Sequence, residues 1–259
     1  MRNYLDIPYR NTDDPAYYLD IHLPEEGNRF PVFVYFHGGG LVHGAQRMKP
    51  LWPQYLTDRG IAVVSANYRL YPQARYPDYL EDAAAAVAWV KENFSCYAEV
   101  ESIYIGGSSA GGYLSMMLCF DETWLGKHGI LPTDIGGFVH DAGQPTCHFQ
   151  ILTQEGRSPK QIVVNEKAPL YHVGKAEAYP PMQFIVATED MKNRYEETML
   201  MISALENFGY SRDGIRLKVM ESQHCKYVNR KDESGESIFG QIVFDFIKST
   251  KPVPPAPGT

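Results

Sequence analysis

Short apolar runs alternate along the chain with stretches of helical periodicity, and this alternation constrains the fold more than any other feature. The runs are Pro31 to Phe36, Ile61 to Ala66, Ser102 to Ile105, Gly137 to His140, Met182 to Ala187 and Arg216 to Met220. Such runs are typical of strands that are buried on both faces. Tyr18 to Leu23 instead alternates apolar and polar residues, as a half-exposed antiparallel strand does.

Amphipathic stretches separate these runs. Apolar residues recur at helical spacing over 48–56, 80–94, 113–118, 201–208 and 238–247. Strands that alternate with helices form βαβ units, so the sequence predicts an α/β fold with a mostly parallel sheet that helices cover on both sides. In such sheets the functional residues lie at the carboxyl ends of the strands.

Size and charge narrow the class of protein. The chain has 259 residues, 44% of them hydrophobic and 21% charged, which excludes fibrous and disordered chains. A net charge of −7 disfavours nucleic acid as a partner, and no apolar run reaches the roughly 18–20 residues of a membrane span. We expect one domain over residues 1–250 and a proline-rich tail over 251–259.

The first residues of the sequence and its cysteines indicate the cellular compartment. Residues 1–6 lack the apolar core of a signal peptide. Four scattered cysteines form no C-x-x-C pair, which favours reduced thiols. A cytoplasmic location is therefore expected. The sequence leaves the oligomeric state open, a homodimer included.

A glycine-flanked serine follows one of the apolar runs. Gly107, Ser109 and Gly111 fit the pattern G-x-S-x-G between a predicted strand and a predicted helix. In that setting the serine lies on a strained turn and acts as a nucleophile. Ser108 does not fit this pattern, because it would require glycine where Ala110 stands.

Three consecutive glycines follow another run, in His37-Gly38-Gly39-Gly40. Such a segment costs backbone entropy unless the backbone must approach something closely. We interpret the N–H groups of Gly39, Gly40 and Ala110 as an oxyanion hole, the donor set that stabilises a developing oxyanion.

A serine nucleophile needs a base, and the base needs an orienting carboxylate. Asp190 and His224 both lie just past predicted strands, in the order serine, acid, histidine. Asp190 is preferred to Glu189, which strand alternation turns the other way. His140, Asp141, Cys147 and His148 have no standard zinc spacing, so no metal is predicted.

These motifs together resemble the esterase/lipase branch of the α/β-hydrolase superfamily, above all hormone-sensitive-lipase-like carboxylesterases and bacterial acetyl and feruloyl esterases. The resemblance is carried by His37-Gly38-Gly39-Gly40, Asn67-Tyr68-Arg69-Leu70, Tyr76-Pro77, Glu81-Asp82, the segment 107–112, Asp190 and His224. It implies an eight-stranded, mostly parallel sheet with helices on both faces and a small cap. It also implies a triad of Ser109, Asp190 and His224, with Gly39, Gly40 and Ala110 as the oxyanion donors.

The chain departs from that branch at three places. Ser108 replaces the usual aspartate, and Cys225 follows the histidine. Because the sequence begins almost at the first predicted strand, we expect the N-terminal helical cap of that branch to be missing. We expect the small cap to come from residues 121–135 and 142–178.

The expected function is a serine carboxylesterase that uses no cofactor and acts on a small-molecule ester, with a short acetyl-type acyl group on a soluble alcohol or sugar. An amidase such as an arylformamidase is the alternative on the same fold. A non-catalytic ligand-binding homologue is a more distant one.

Overall fold

The computed structural model describes residues 1–47, 49, 51–251 and 253. Its strands are β1 (Arg2–Pro8), β2 (Tyr18–Leu23), β3 (Arg29–Phe36), β4 (Ala62–Ala66), β5 (Glu99–Ser108), β6 (Gly137–Asp141), β7 (Met182–Glu189) and β8 (Ile215–Gln223). Its α-helices are α1 (Leu51–Thr57), α2 (Asp78–Asn93), α3 (Ala110–Phe120), α4 (Glu122–Gly126), α5 (Phe149–Gln154), α6 (Pro169–His172), α7 (Arg194–Asn207) and α8 (Ile238–Ser249).

The eight strands form one sheet in the order β1-β2-β4-β3-β5-β6-β7-β8. The pairs β1–β2 and β2–β4 are antiparallel, and every pair from β4–β3 to β7–β8 is parallel. This confirms the predicted fold class. The parallel strands end together, so the segments that follow β3, β5, β6, β7 and β8 meet at one edge of the sheet.

Helices cover both faces of the sheet, which explains why the central strands are continuously apolar. Val32, Val34 and Phe36 of β3 pack in the core that includes side chains of α2, α3 and α7. Phe33 and Tyr35 point the other way, into a second core with residues of α1 and α8. Neither face of β3 meets solvent, so alternation of polar residues is absent there.

Strand β1 was not expected from the residue pattern, because its apolar and polar residues do not alternate and most of its side chains are exposed at the edge of the sheet. Two predictions fall partly outside the described residues, namely Met48 at the start of the first helical stretch and most of the tail 251–259. In the part of the chain that the structure describes, no helix has both the length and the apolar character to cross a bilayer.

Candidate active site

Ser109 lies between β5 and α3 in a strained conformation, with φ of 57° and ψ of −113°. Its N–H donates to the Asp141 carbonyl at 2.8 Å. A positive φ at a residue with a side chain costs free energy and persists only where its surroundings enforce it. The sharp turn places the Ser109 side chain in an open cleft, whereas Ser108 is buried.

The flanking glycines are required by close backbone packing. A Cβ atom on Gly107 would lie 2.4 Å from the Gly111 carbonyl carbon. A Cβ atom on Gly111 would lie 1.9 Å from the Phe36 carbonyl oxygen. No side chain fits at either position, so the turn depends on this pair of glycines and presents Ser109.

The three residues of the expected triad meet at the edge of the sheet. The Nε2 atom of His224 lies 2.8 Å from Ser109 Oγ, and its Nδ1 atom lies 2.5 Å from Asp190 Oδ1. The Asp190 side chain is 1% exposed and the His224 side chain 24%. The histidine is thus open to the cleft, while the carboxylate behind it is shielded from water.

Asp190 is held by backbone groups as well as by His224. Its Oδ2 atom accepts from the N–H of Ala187 at 3.1 Å, and its Oδ1 atom accepts from the N–H of Met191 at 2.7 Å. Burial by itself raises the pKa of Asp190, but the hydrogen bond and charge of His224 and the two N–H groups outweigh it, so the pKa is lowered. Asp190 is therefore ionised and accepts the Nδ1–H of His224.

The glycine loop faces Ser109 across the cleft. Gly39 and Gly40 have φ of 124° and 63°, and a Cβ atom on Gly39 would lie 1.8 Å from the His43 carbonyl oxygen. Among the described residues, the N–H groups of Gly39 and Gly40 donate to no protein acceptor. Ala110 is the first residue of α3, so its N–H has no partner within the helix.

The other motif residues brace this loop. His37 stacks on Tyr68 with ring centroids 4.5 Å apart, and the Tyr68 hydroxyl donates to the His37 carbonyl at 2.8 Å. Arg69 binds both carboxylate oxygens of Asp82, at 2.7 and 3.0 Å. Because Asp82 is fully buried, this bidentate pair anchors the segment that carries Tyr68 to α2.

The cleft has a volume of about 510 Å³, and its walls include Ser109, His224, the glycine loop and Phe149. Of the two segments expected to cap it, 142–178 supplies Phe149. No residue of 121–135 lines it, because that segment leads into the amino end of β6, at the opposite edge of the sheet.

Comparison with known families agrees with this geometry. The family model described as BD-FAE matches residues 19–205, well over half of the chain. The chain belongs to the BD-FAE family. The match extends from β2 into α7 and so spans the glycine loop, the Ser109 turn and Asp190. The resemblance to α/β-hydrolase esterases and lipases is thereby confirmed.

Named relatives of this BD-FAE chain are esterases. Esterase LipI of Mycobacterium tuberculosis is 32% identical over 155 residues, which are 58% of this chain and 43% of that protein. The chain thus spans less than half the length of that relative. Esterase B from Lactobacillus rhamnosis has a TM-score of 0.77 at 16% identity, covering 96% of this chain and 85% of that one. Thermogutta terrifontis Est2 has a TM-score of 0.73 at 19% identity, covering 95% and 93%. Both show the same fold.

A buried polar network beneath the Ser109 turn of this BD-FAE chain escaped the sequence analysis. The carboxylate of Asp141 accepts from the hydroxyls of Ser108 and Tyr227, and Tyr35 donates to Ser108 Oγ at 2.9 Å. Asp141 ends β6, beside Ser108 in β5. It thereby links the Ser109 turn to the loop that carries His224. A Ser108 hydroxyl fits this arrangement because it can donate to the carboxylate and accept from Tyr35.

Three of the four candidate zinc ligands, His140, Asp141 and His148, have hydrogen-bond partners within this BD-FAE chain. His140 Nδ1 lies 2.9 Å from Ser115 Oγ, and His148 Nδ1 accepts from the Gln150 N–H at 3.2 Å. Asp141 belongs to the network beneath Ser109. No group of three or more His, Cys, Asp or Glu residues in the described ranges could hold a metal ion.

Asp141 is expected to make stability depend on pH. Burial raises its pKa from 3.8 to about 6, despite the hydrogen bonds from Ser108 and Tyr227. The folded state therefore binds this proton more tightly than the unfolded state. The free energy of unfolding should fall by about 3 kcal/mol as the pH rises from about 4 to about 6.

Denaturant unfolding of wild type and Asp141→Asn across that pH range measures the effect. The difference in the free energy of unfolding between wild type and Asp141→Asn should change between about pH 4 and about pH 6 and stay level at higher pH. Parallel curves would contradict the raised pKa of Asp141.

Proposed function

We propose that the protein is a serine carboxylesterase whose triad is Ser109, His224 and Asp190. The observation that carries this proposal is the unbroken hydrogen-bond chain from Asp190 through His224 to Ser109 Oγ, which ends in an open cleft. A serine, a base and an orienting carboxylate in this order constitute the machinery of acyl transfer. The esterase names of the relatives support the same reaction class.

The geometry leads to a two-step reaction. Ser109 Oγ attacks the ester carbonyl while His224 Nε2 takes its proton, and the carbonyl oxygen becomes an oxyanion. The free N–H groups of Gly39, Gly40 and Ala110 stabilise that oxyanion, at about 3 kcal/mol for each donor. His224 then gives the proton to the leaving alcohol. Water attacks the acyl-enzyme by the same route, and Ser109 regains its proton as the acid departs.

Ester cleavage is preferred to amide cleavage on the chemistry of the leaving group. An amine leaves less readily than an alcohol and depends more on protonation by His224. An amidase such as an arylformamidase remains the second candidate, because the triad and the glycine loop serve either reaction. A non-catalytic receptor would have no use for Ser109 in its strained conformation.

The expected substrates carry short acyl groups, acetyl above all, on a soluble alcohol or sugar. A long chain needs an apolar channel, since each buried CH₂ contributes only about 0.8 kcal/mol. The pocket that adjoins the cleft has apolar side chains, among them Phe149 and Met191, but Lys160, Lys192 and Arg194 also line it, and these cations disfavour a long alkyl chain. The Est2 structure, whose ligand is propionate, offers support at the level of fold. All four cysteines are free thiols, which supports a cytoplasmic location as part of the proposal.

A series of p-nitrophenyl esters from acetate to palmitate tests the acyl preference. We expect kcat/KM to be highest at acetate to butyrate and to fall beyond that, because a longer chain would enter the adjoining pocket, whose wall carries Lys160, Lys192 and Arg194. p-Nitroacetanilide, the amide counterpart of p-nitrophenyl acetate, should be hydrolysed far more slowly than that ester. Values of kcat/KM that climb beyond the octanoyl ester would contradict the short-chain preference, and faster anilide cleavage would favour the amidase.

A further inference from the structure

A second pocket of about 500 Å³ adjoins the cleft that contains Ser109 and His224. Phe149 and Met191 line both. Met191 directly follows Asp190 in the chain. A substrate held at Ser109 therefore has one of its ends beside this second pocket, which the acyl-transfer chemistry itself does not use.

Arg194 contributes a buried cation to the wall of this second pocket. The residue is 4% exposed, and its guanidinium donates to the Ala142 carbonyl and, at 3.5 Å, to Gln144 Oε1. Both of these acceptors are neutral. Among the described residues Arg194 forms no ion pair, and the nearby carboxylates of Asp190 and Glu197 offset its buried charge without binding it directly.

The backbone around Arg194 also carries positive partial charge. Arg194 is the first residue of the 14-residue helix α7, and the preceding residue, Asn193, has φ of 69° and makes no side-chain capping hydrogen bond. The amino end of a helix favours negative charge. The buried guanidinium and the uncapped helix end are two independent features of the same wall.

Most of the other residues that line the second pocket are cationic, carry a side-chain amide or are apolar. Lys160 and Lys192 lie at the exposed rim. Glu197 is the one carboxylate among the residues that line this pocket in the described chain, and Thr146 donates to its Oε2 atom at 3.1 Å. Three cations against one carboxylate leave the wall with a net positive charge. In a chain with net charge −7, this local excess favours an anion.

We propose that this second pocket is a binding subsite for an anionic group of the substrate, so that the preferred ester carries a carboxylate held by Arg194. This proposal rests on the proposed esterase function and specifies its substrate class. Arg194 would bind the carboxylate with charge-assisted hydrogen bonds, with Lys192 and Lys160 at the rim and Phe149 against the adjoining apolar part. The carboxylate belongs either to the acyl part or to the alcohol part of the ester.

Matched charged and neutral esters test the subsite. The pair p-acetoxybenzoate and p-acetoxybenzamide places the carboxylate in the alcohol part. The pair mono(p-nitrophenyl) glutarate and p-nitrophenyl butyrate places it in the acyl part. Wild type should prefer the anionic member of one pair by roughly 10–100-fold in kcat/KM, and the pair that shows the preference identifies the end that carries the charge.

Variants assign that preference to Arg194. Arg194→Gln should bring the anionic-to-neutral ratio close to one, because the loss falls on the anionic ester. Lys192→Gln should lower the ratio several-fold without entering the core, which covers the case that Arg194→Gln does not fold. Lys248→Gln changes an exposed lysine that lines neither pocket and should leave the ratio unchanged.

A ratio near one for both pairs in wild type would overturn the subsite while leaving the esterase function intact. The subsite is also overturned if wild type, Arg194→Gln and Lys192→Gln have the same anionic-to-neutral ratio, since Arg194 then only braces Ala142 and Gln144. If no ester is hydrolysed, the esterase proposal fails, and calorimetry still tests the subsite. Binding of p-hydroxybenzoate but not p-hydroxybenzamide, weakened several-fold in Lys192→Gln, supports it, and equal affinities overturn it.

Discussion

Replacing Ser109 by alanine is expected to lower kcat on the order of a million-fold, with the fold retained. The substitution removes the only atom of the triad that forms a bond to the substrate, Oγ, which lies 2.8 Å from His224 Nε2. Initial rates on p-nitrophenyl acetate give the loss. Stoichiometric labelling by a fluorophosphonate should disappear with it, because the reagent needs an activated serine.

Ser108→Ala is the matched control, since the neighbouring hydroxyl is buried and faces Asp141. It should retain labelling and most of the activity, and lose about 1–3 kcal/mol of stability because Asp141 and Tyr35 each lose a hydrogen-bond partner. Mass spectrometry of the labelled wild type should localise the adduct to Ser109. An adduct on Ser108 would contradict the assignment of the turn.

The positions of Ser109, Asp190 and His224 could be predicted because each follows a strand that local pattern reveals. The continuous apolar runs locate β5, β7 and β8, and parallel strands bring the segments that follow them to one edge. The structure places these three residues within hydrogen-bond distance in the predicted order. The spacing of the glycines selects Ser109 over Ser108, and the packing of Gly107 against Gly111 supplies the physical reason.

Element ends were harder to predict, because polar residues there carry no periodic signal. Strand β5 begins at Glu99, whereas the apolar run predicted a start at Ser102. Glu99 and Glu101 are charged and so add nothing to the apolar run, but Glu99 pairs with β3 and Glu101 continues the strand. Helix α7 begins at Arg194, well before the apolar repeat at Met201. The first turns of that helix contain Arg194, Glu196 and Glu197, which obscured the start of the element beside the second pocket.

The network around Asp141 could not be predicted from local sequence at all. Tyr35, Ser108, Asp141 and Tyr227 come from four separate segments, and only the tertiary fold brings their polar atoms together. The sequence offered one weak signal for Asp141. It is the last residue of β6, and the catalytic candidates also lie at the carboxyl ends of strands. The same argument applies to Arg194, whose burial depends on the loop that follows β6.

Asp190→Asn should lower kcat by up to about ten-thousand-fold while KM changes little, because it disturbs the histidine tautomer rather than substrate binding. The two oxygens of Asp190 accept three N–H groups, from His224, Ala187 and Met191. An amide has one oxygen, so either orientation of the substituted side chain turns its NH₂ group towards at least one backbone donor. With the NH₂ group towards His224, Nδ1 must accept, and Nε2 then carries the proton and cannot take one from Ser109.

Glu189→Gln is the control for this substitution, because Glu189 is an exposed carboxylate at the end of β7, next to Asp190 in sequence. It removes the same charge from the same segment but touches neither His224 nor the cleft, so kcat should stay within about two-fold. Steady-state kinetics on p-nitrophenyl acetate, with circular dichroism to verify folding, compares the two variants. Since both lose one negative charge, a general electrostatic effect would lower both rates alike, whereas a tautomer effect lowers only that of Asp190→Asn. A large loss in Glu189→Gln with a near-normal Asp190→Asn would assign the orienting carboxylate to Glu189 and contradict the triad proposed for this chain.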